Sequence, residues 1–418
     1  MRAIATLVMW TLSITYASAM DAAAAPPSVG ARDAMQVQGP APGRPVAANV
    51  RLMYFASSAS FRSSTTQFVW RDDCDPSIED CWIDPTTGRT VGAEVEIPTP
   101  AGAGYAQVDI LYVDDAVCVG RVTNHLVDVM SGSLLTMGSS GFVSADGCVD
   151  YWWPQHRLAT LAGRTMEGLR ARLGPYTLAG RTFDALSIVT SSRNGTTHDA
   201  YEVGSGLLMV STSRTVGAPV QTIEPGGNVR PAAGGSMQTY AQFLGIKTLD
   251  AGPPQRPLPP EVASVRGLTY VCSVTTALQG APPLRSPCRQ DAEVVQRAPG
   301  WLVLRSVRQL FNPAGLPPEV SESVEVITNG GLGGPYASVE WLQGLTPGTI
   351  LDDDTITGIR FQVTSVDQAS VVIEGTSQAQ RITYVYDRPS GWLRTAVVEQ
   401  ATGPGSTTTV RTDLDEVR

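Results

Sequence analysis

The sequence predicts a mainly β protein of two tandem antiparallel units with curved sheets, on which at most one or two helices pack. Three observations support this prediction: apolar and polar residues alternate in many short segments, turn residues separate the segments, and one hairpin pattern occurs twice. Alternation is clear in Val108, Ile110 and Tyr112. A period of two places such side chains on one face of a strand, so each predicted sheet buries one face.

The repeated hairpin pattern occurs at Tyr201–Val216 and again at Ile382–Gln400. Both copies contain a tyrosine, an acidic residue, two variable residues, Ser-Gly, one apolar residue and leucine. The shared positions are Tyr201, Glu202, Ser205, Gly206 and Leu208 in the first copy, and Tyr386, Asp387, Ser390, Gly391 and Leu393 in the second. A glycine at this point can adopt the left-handed conformation that a type I turn with a following bulge requires.

A second repeat opens each unit, because Leu52 and Tyr54 have the same spacing as Leu268 and Tyr270. Two patterns that recur in the same order indicate an internal duplication. The leucine spacing of Arg157–Leu173 predicts a helix, although Gly163 and Gly168 interrupt it.

Composition divides the chain into six segments. We predict a signal peptide over 1–19, a disordered leader over 20–48, a first β unit over 49–221, a Pro/Gly-rich linker over 222–265, a second β unit over 266–410 and a C-terminal tail over 411–418. The signal peptide is predicted from Arg2, an apolar core and the small residues Ala17, Ser18 and Ala19. The leader lacks the large apolar side chains that would offset the entropy of ordering it.

The signal peptide predicts an exported protein, periplasmic or extracellular in a bacterial host. No later stretch reaches roughly 18 consecutive apolar residues, so no transmembrane helix is predicted. The net charge is −9 and Lys247 is the single lysine. The absence of basic clusters argues against nucleic acid as a partner. The sequence does not indicate an oligomeric state.

Six cysteines, an even number in an exported chain, predict disulfides rather than a zinc site. Sequence alone does not select among the possible pairings. Proximity along the chain favours Cys74 with Cys81, Cys118 with Cys148, and Cys272 with Cys288.

The acidic loop over 72–84 is the one candidate for calcium binding. Oxygen ligands have the required spacing at Asp73, Asp75, Ser77, Glu79 and Asp84. However, Ile78 occupies the position where the sharp turn requires glycine, and Pro76 stiffens the loop. We therefore favour a solvated loop and predict no metal site.

No catalytic motif is present in the sequence. We find no G-x-S-x-G, no H-E-x-x-H, no phosphate-binding loop and no dinucleotide fingerprint, and only three histidines. A non-enzymatic protein without a cofactor is therefore favoured. Paired glycosidase carboxylates on distant strands leave no local signature, so that alternative stays open.

Seven aromatic residues are candidates for contacting a ligand, either by stacking on a sugar or by lining an apolar pocket. They are Tyr151, Trp152, Trp153, Trp341, Tyr384, Tyr386 and Trp392. The alternative for each ring is core packing, since one large ring removes about 150 Å² or more from water.

The hairpin Tyr384–Val398, an aromatic strand that turns through Pro389, Ser390 and Gly391, resembles hairpins of bacterial periplasmic lipoprotein carriers and related lipid-binding half-barrel proteins. The resemblance implies a curved antiparallel sheet around a helix, with acyl chains held in the concavity. This chain departs from that family in its size, duplication and cysteines, and no site residue carries over.

We therefore predict an exported, non-enzymatic protein that binds a lipid-like or other hydrophobic small molecule in a sheet concavity. One alternative is an envelope or surface protein-interaction module that presents the acidic loop. The other is a glycan-directed binder or hydrolase, which requires the rings of Tyr151, Trp152 and Trp153 to be exposed together beside paired carboxylates.

Overall fold

The computed structural model describes residues 46–418, apart from 71–80, 84–89, 129–133, 146, 149–150, 167, 179, 193–194, 217–219, 224–228, 233–235, 251, 253–255, 312–316, 379 and 404. The predicted signal peptide and nearly all of the predicted leader lie outside the described residues. Cys74 lies outside them too, as does the acidic loop apart from Cys81–Ile83.

The first sheet is antiparallel, and its strand order is β5-β4-β3-β1-β13-β10-β9-β8-β7-β6, with the short β2 paired to β3. Its strands are β1 (Val50–Trp70), β2 (Cys81–Ile83), β3 (Thr90–Val113), β4 (Val117–Asp128), β5 (Leu134–Ala145), β6 (Thr165–Met166), β7 (Leu169–Leu178), β8 (Arg181–Ser192), β9 (Gly195–Glu202), β10 (Leu208–Val216) and β13 (Ser236–Thr248). Helix α1 (Gln155–Leu161) lies between β5 and β6 in the chain, and β11 (Val220–Ile223) pairs with β12 (Val229–Ala232).

The second sheet is antiparallel with the order β17-β16-β15-β14-β23-β22-β21-β20-β19-β18. Its strands are β14 (Gly267–Leu278), β15 (Leu284–Ala298), β16 (Trp301–Leu310), β17 (Glu319–Thr328), β18 (Ile350–Asp353), β19 (Arg360–Val366), β20 (Ser370–Thr376), β21 (Gln380–Asp387), β22 (Leu393–Gly403) and β23 (Ser406–Val417). Helix α2 (Pro260–Ala263) precedes it, and α3 (Val339–Gly344) lies between β17 and β18 in the chain.

The two sheets follow the same path, so the predicted fold of two tandem sheet units with an internal duplication is confirmed. In each unit the first strand pairs with the last, and a short helix joins the two edges of the sheet in sequence. The irregularities match as well: a register shift lies between Met53 and Tyr54 in the pairing with β13, and between Thr269 and Tyr270 in the pairing with β23.

The repeated hairpins form the same hydrogen bonds. The amide of Gly206 donates to the carbonyl of Glu202, and that of Gly391 donates to the carbonyl of Asp387, each at 2.8 Å. Both glycines have positive φ, 78° and 80°. Each hairpin also docks against the chain before the helix, since Leu208 N donates to Tyr151 O and Leu393 N to Pro335 O, both at 2.9 Å.

The helix predicted over Arg157–Leu173 is shorter in the structure and ends at Leu161. Gly163 and Gly168 have φ of 75° and 74°, which no helix accommodates, and the chain turns there into β6 and β7. The later leucines belong to a strand, because Leu173 pairs with Leu186 of β8.

The predicted linker and tail differ from the structure in two places. Strand β13 lies within 222–265 and is the central partner of both β1 and β10 in the first sheet. Strand β23 runs to Val417, through the predicted tail, and pairs with β14. Pro and Gly around β13 concealed its alternation, and only pairing with distant strands orders it.

The core of the first unit is a single cluster that takes side chains from both halves of the sheet, for example Val108 of β3 and Leu186 of β8. Strands that lie far apart in the order can share a core only if the sheet curves around it. In the second unit one cluster contains Leu302 and Leu304, and another contains Ile373 and Tyr386.

Two of the three predicted disulfides are confirmed: Cys118 bonds to Cys148 and Cys272 to Cys288. Cys272 and Cys288 face each other on adjacent strands with Cα atoms 4.7 Å apart, a separation that suits a disulfide. The third predicted pair includes Cys74 and lies outside the described residues. Among the described helices, none is long and apolar enough to cross a membrane.

Candidate functional site

A row of four charged residues crosses the outer face of the first sheet and contacts the second. Lys247, Arg51, Asp109 and Arg121 are direct cross-strand neighbours on β13, β1, β3 and β4. Asp109 accepts from Arg51 Nε at 2.6 Å and from Arg121 Nη2 at 3.0 Å. We call these four residues the charge row.

The charge row contacts the second sheet near both of its edge strands, β17 and β18. Arg51 Nη1 donates to Asp352 Oδ2 of β18 at 2.7 Å, and Lys247 pairs with the other oxygen of Asp352. Arg121 Nη2 donates to the carbonyl of Leu332, beyond the end of β17, at 2.6 Å. The outer face of the first sheet therefore lies across the gap between β17 and β18.

The charge row is largely buried and closely paired, so the loss of one charged partner destabilises the others. Burial alone would raise the pKa of Asp109, but the guanidinium groups of Arg51 and Arg121 lower it to about 2. Burial likewise disfavours the charged form of Arg51, and Asp109 outweighs it, so the pKa of Arg51 is raised. Removing one partner of such a pair leaves an uncompensated buried charge.

An apolar patch continues this contact between the sheets. Val119 of β4 and Leu111 pack with Trp301, Val303 and Val326 of the second sheet. Val119 and Val303 occupy equivalent positions in the two units. Val119 lies opposite the register shift between β3 and β4, and Val303 lies opposite the one between β15 and β16. The two units therefore meet through equivalent strands.

The inner face of the second sheet carries two rows of different character. Val274, Val410, Val398 and Ile382 are cross-strand neighbours from β14 to β21, and we call them the apolar row. Tyr270, Gln290 and Arg308 are cross-strand neighbours from β14 to β16, and we call them the polar row. Both rows face inward. Alternate residues of a strand share one face, and the residues of each row lie at intervals of two from core residues of the same strands.

The core does not fill the space in front of the apolar row. Val274, Val398 and Val410 are only half-buried, whereas inward-facing residues further along the same strands, such as Leu268 and Tyr386, are fully buried. This part of the inner face is therefore only partly covered. It lies toward the turns between β14 and β15 and between β22 and β23, and we call it the tip concavity.

Two titratable residues of the inner face, Tyr384 and Glu325, lie toward the charge row. Burial raises the pKa of both side chains, and the charge of Arg121 partly opposes this in each case. Glu325 also accepts a hydrogen bond from Gln290.

Two large apolar side chains lie exposed beside the tip concavity, and a third, Phe311, follows the outward-facing positions of β16. Leu278 and Leu284 are exposed at the turn between β14 and β15, and Phe311 is exposed beyond the end of β16. Exposed apolar residues that lie together often mark a binding site.

The aromatic candidates of the first unit contact the core or each other. Trp152 is 8% exposed, and its Nε1 donates to the carbonyl of Ser205 at 3.0 Å. The Trp153 ring stacks on Tyr201 at 4.9 Å, with the Arg157 guanidinium 4.5 Å from its other side. The ring of Tyr151 lies 5.3 Å from that of Tyr54. This is not the exposed ring cluster that the glycan hypothesis requires.

The aromatic candidates of the second unit lie in the core or pack against it. Tyr386 is fully buried, and its hydroxyl donates to Gly334 O at 3.1 Å. Trp392 packs edge-on against Tyr336, and Trp341 of α3 packs against the core. Tyr384 stacks on Phe361, and its hydroxyl lies close to Gly333, toward the charge row.

Sequence reasoning missed the polar row. Its signal was present in β16, where Ser306 and Arg308 follow Leu302 and Leu304 on the same face. A charged residue that continues an apolar alternation indicates a functional or partnered side chain.

A second depression, of about 730 Å³, lies at the edge of the first sheet. Its lining includes Ala162, Thr165, Arg170, Ala171 and Leu173. Leu173 faces the same side as the core residue Ala171 but is 54% exposed, since β6 is too short to cover it. The lining contains none of the buried polar atoms that lack a partner, whereas the inner face of the second sheet has three, on Tyr270, Ser306 and Arg308.

No protein-family model matches the chain, and no curated protein matches it. Among solved structures, a protein of unknown function from the DUF3598 family of Nostoc punctiforme is 11% identical, with a TM-score of 0.13, over 88% of this chain and 96% of that one. A mutant of transferrin binding protein B from Haemophilus parasuis is 7% identical, with a TM-score of 0.16, over 91% and 78%. Scores this low carry no argument about fold or function.

Proposed function

We propose that this chain is an exported, non-enzymatic protein that binds a hydrophobic or amphiphilic small molecule in the tip concavity of its second sheet. The observation that supports this proposal is the apolar row, where Val274, Val398 and Val410 face inward but remain half-buried beside a buried core. Water against these side chains is released when an apolar ligand covers them, which favours binding.

Three further features support the proposal. The exposed residues Leu278 and Leu284 provide an apolar surface at the opening. Among the described residues, no group of three or more His, Cys, Asp or Glu side chains could hold a metal ion. The two disulfides support export, since disulfides persist in oxidising compartments.

The first test is to purify the native protein from the exported fraction, denature it and analyse the released molecules by mass spectrometry. We expect a stoichiometric hydrophobe. Finding none, together with no thermal stabilisation by added fatty acids, phospholipids or long-chain alcohols, would contradict the proposal.

The second test locates the site with variants. Val398→Thr combined with Val410→Thr keeps the branched shape but replaces two apolar methyl groups in the concavity, so we expect about tenfold weaker binding of a fluorescent fatty-acid analogue. Val320→Thr is the matched control, because Val320 is exposed on the outer face of the same sheet. Equal affinity for both variants would exclude the concavity, and loss of binding in Leu173→Thr would assign it to the depression on the first sheet.

A further inference from the structure

Arg308 is a half-buried arginine with a buried Nε, and its guanidinium has no carboxylate partner among the described residues. Its Nη2 lies 3.7 Å from Sγ of Cys288, a weak acceptor in a disulfide, and its Nε has no hydrogen-bond partner. By contrast, Arg51 contacts two carboxylates, and the exposed Arg305 pairs with Glu322.

A half-buried cation in this state is costly. Burial lowers the pKa of Arg308, and Glu319 opposes this only from a distance, since no ion pair joins the two. Proteins neutralise such a charge with a paired anion. The side chain therefore has the properties of a binding group whose partner comes from outside the chain.

A second donor lies in the same row. Tyr270 is 4% exposed, and its hydroxyl has no hydrogen-bond partner. The strands of Tyr270 and Arg308 are separated only by β15, so their backbones are about 10 Å apart. Burial, with Glu325 and Tyr386 nearby, raises the pKa of the Tyr270 hydroxyl, so it remains a neutral donor on the same face as Arg308.

Glu325 is the acidic residue of this interior, and it lies away from Arg308. Glu325 accepts from Gln290 Nε2 at 2.7 Å and is the cross-strand neighbour of Leu304, whereas Arg308 is opposite Ser321. Four residues of strand separate Glu325 from Ser321, about 13 Å. The Arg308 end of the row is therefore positive, whereas Gln290 and Tyr270 lie nearer to Glu325.

We infer that the molecule bound in the tip concavity is an anionic amphiphile, with its carboxylate or phosphate on Arg308 and Tyr270 and its hydrocarbon chain along the apolar row. This inference rests on the proposed function. Arg308 and the apolar row lie on opposite sides of β14, and the disulfide of Cys272 and Cys288 lies between them on the inner face. A ligand with a charged head and an apolar chain fits both.

The test compares matched probes by isothermal titration calorimetry: dodecanoate, dodecyl phosphate and the neutral 1-dodecanol. We expect the wild-type protein to bind an anionic probe at least tenfold more tightly than the alcohol. Arg308→Gln should reduce that ratio to about one, Arg308→Lys should retain part of it, and Tyr270→Phe should lower it several-fold. The better of the two anions identifies the head group.

Arg305→Gln is the control, because Arg305 lies on the outer face of the same strand and should leave the ratio unchanged. A melting curve of Arg308→Gln provides a second readout: removal of an unpartnered, half-buried charge should leave the melting temperature unchanged or higher. A lower melting temperature with an unchanged ratio would make Arg308 structural and overturn the inference.

The outcomes separate the two proposals. If the wild-type protein binds none of the probes, the proposed function fails. If it binds the alcohol as tightly as both anions, the proposed function stands and the anionic head group is wrong.

Discussion

Arg51 Nη1 lies 2.7 Å from Asp352 Oδ2, although 301 residues separate them in the chain. Both side chains are buried, at 7% and 1% exposure. In the first unit β6 ends at Met166 and β7 begins at Leu169, whereas β18 ends at Asp353 and β19 begins at Arg360. The longer turn of the second unit supplies Asp354, which lies 4.0 Å from Arg51 and accepts from Gln107 Nε2.

We predict that Arg51→Met destabilises the protein by about 3–5 kcal/mol, because Asp109 and Asp352 lose their buried partner. The double variant with Asp352→Asn should lose less than the sum of the single variants. Urea denaturation measures the effect, and hydrogen exchange should quicken in β17 and β18. Arg305→Met, which breaks an exposed pair, is the control; an equal effect there would contradict a special role for Arg51.

We predict that acid weakens the charge row at Asp109. The pKa of Asp109 is lowered to about 2 in the folded state, so its contribution, about 2 kcal/mol, is complete above the unfolded value near 4 and is lost as the pH falls toward 2. Asp109→Asn should remove this part of the pH dependence. The exposed Asp115→Asn should not; the measurement is stability against pH from 2 to 6.

We predict the opposite pH dependence for Glu325. Burial raises its pKa, so deprotonation destabilises the folded state as the pH rises above the unfolded value. Glu325→Gln should therefore stabilise the protein at pH 7 and change little at pH 4. Destabilisation at pH 7 would show that the carboxylate, not its neutral form, stabilises the fold.

We predict that Gly391→Ala destabilises more than Gly180→Ala. Both glycines have φ near 80°, so each alanine incurs about 1–2 kcal/mol of backbone strain. A Cβ at Gly391 would also lie 2.3 Å from the carbonyl oxygen of Ala337, whereas nothing lies within 4 Å at Gly180. Thermal melts of the two variants isolate the clash, and equal losses would place the docking of the hairpin in doubt.

We predict that peptide mapping of the unreduced protein recovers Cys118 linked to Cys148 and Cys272 linked to Cys288. The sequence-based pairing of Cys74 with Cys81 predicts a third linked peptide and no free thiol on titration after denaturation. A peptide that joins Cys81 to one of these four cysteines would contradict the disulfide that contains it.

Local chemistry made part of the fold predictable. The turn at Gly391 and its copy at Gly206 follow from residues within one hairpin, as does the pairing of Cys272 with Cys288. The helix prediction over Arg157–Leu173 was wrong beyond Leu161. The later leucines belong to a strand, so the leucine spacing combines two elements. Strand β13 was missed because its partners, β1 and β10, come from distant parts of the chain.

The candidate site was less predictable. Aromatic residues in a strand are a recognisable signal, and Tyr384 stays a predicted ligand contact. Arg308 was not predicted, since its significance depends on having no carboxylate nearby, and that depends on which strands lie beside it. The contact of Arg51 with Asp352 likewise follows only from the packing of one sheet on the other.

The pairing of the first strand of each sheet with the last governs how a nascent chain folds. One edge of β1 has no partner until Ser236–Thr248 has been made, and one edge of β14 waits for Ser406–Val417. During that interval an open strand edge is available for pairing with other chains. Pairings this distant in sequence also form slowly. A cell that makes this protein therefore benefits from a holding chaperone that shields those edges until synthesis is complete.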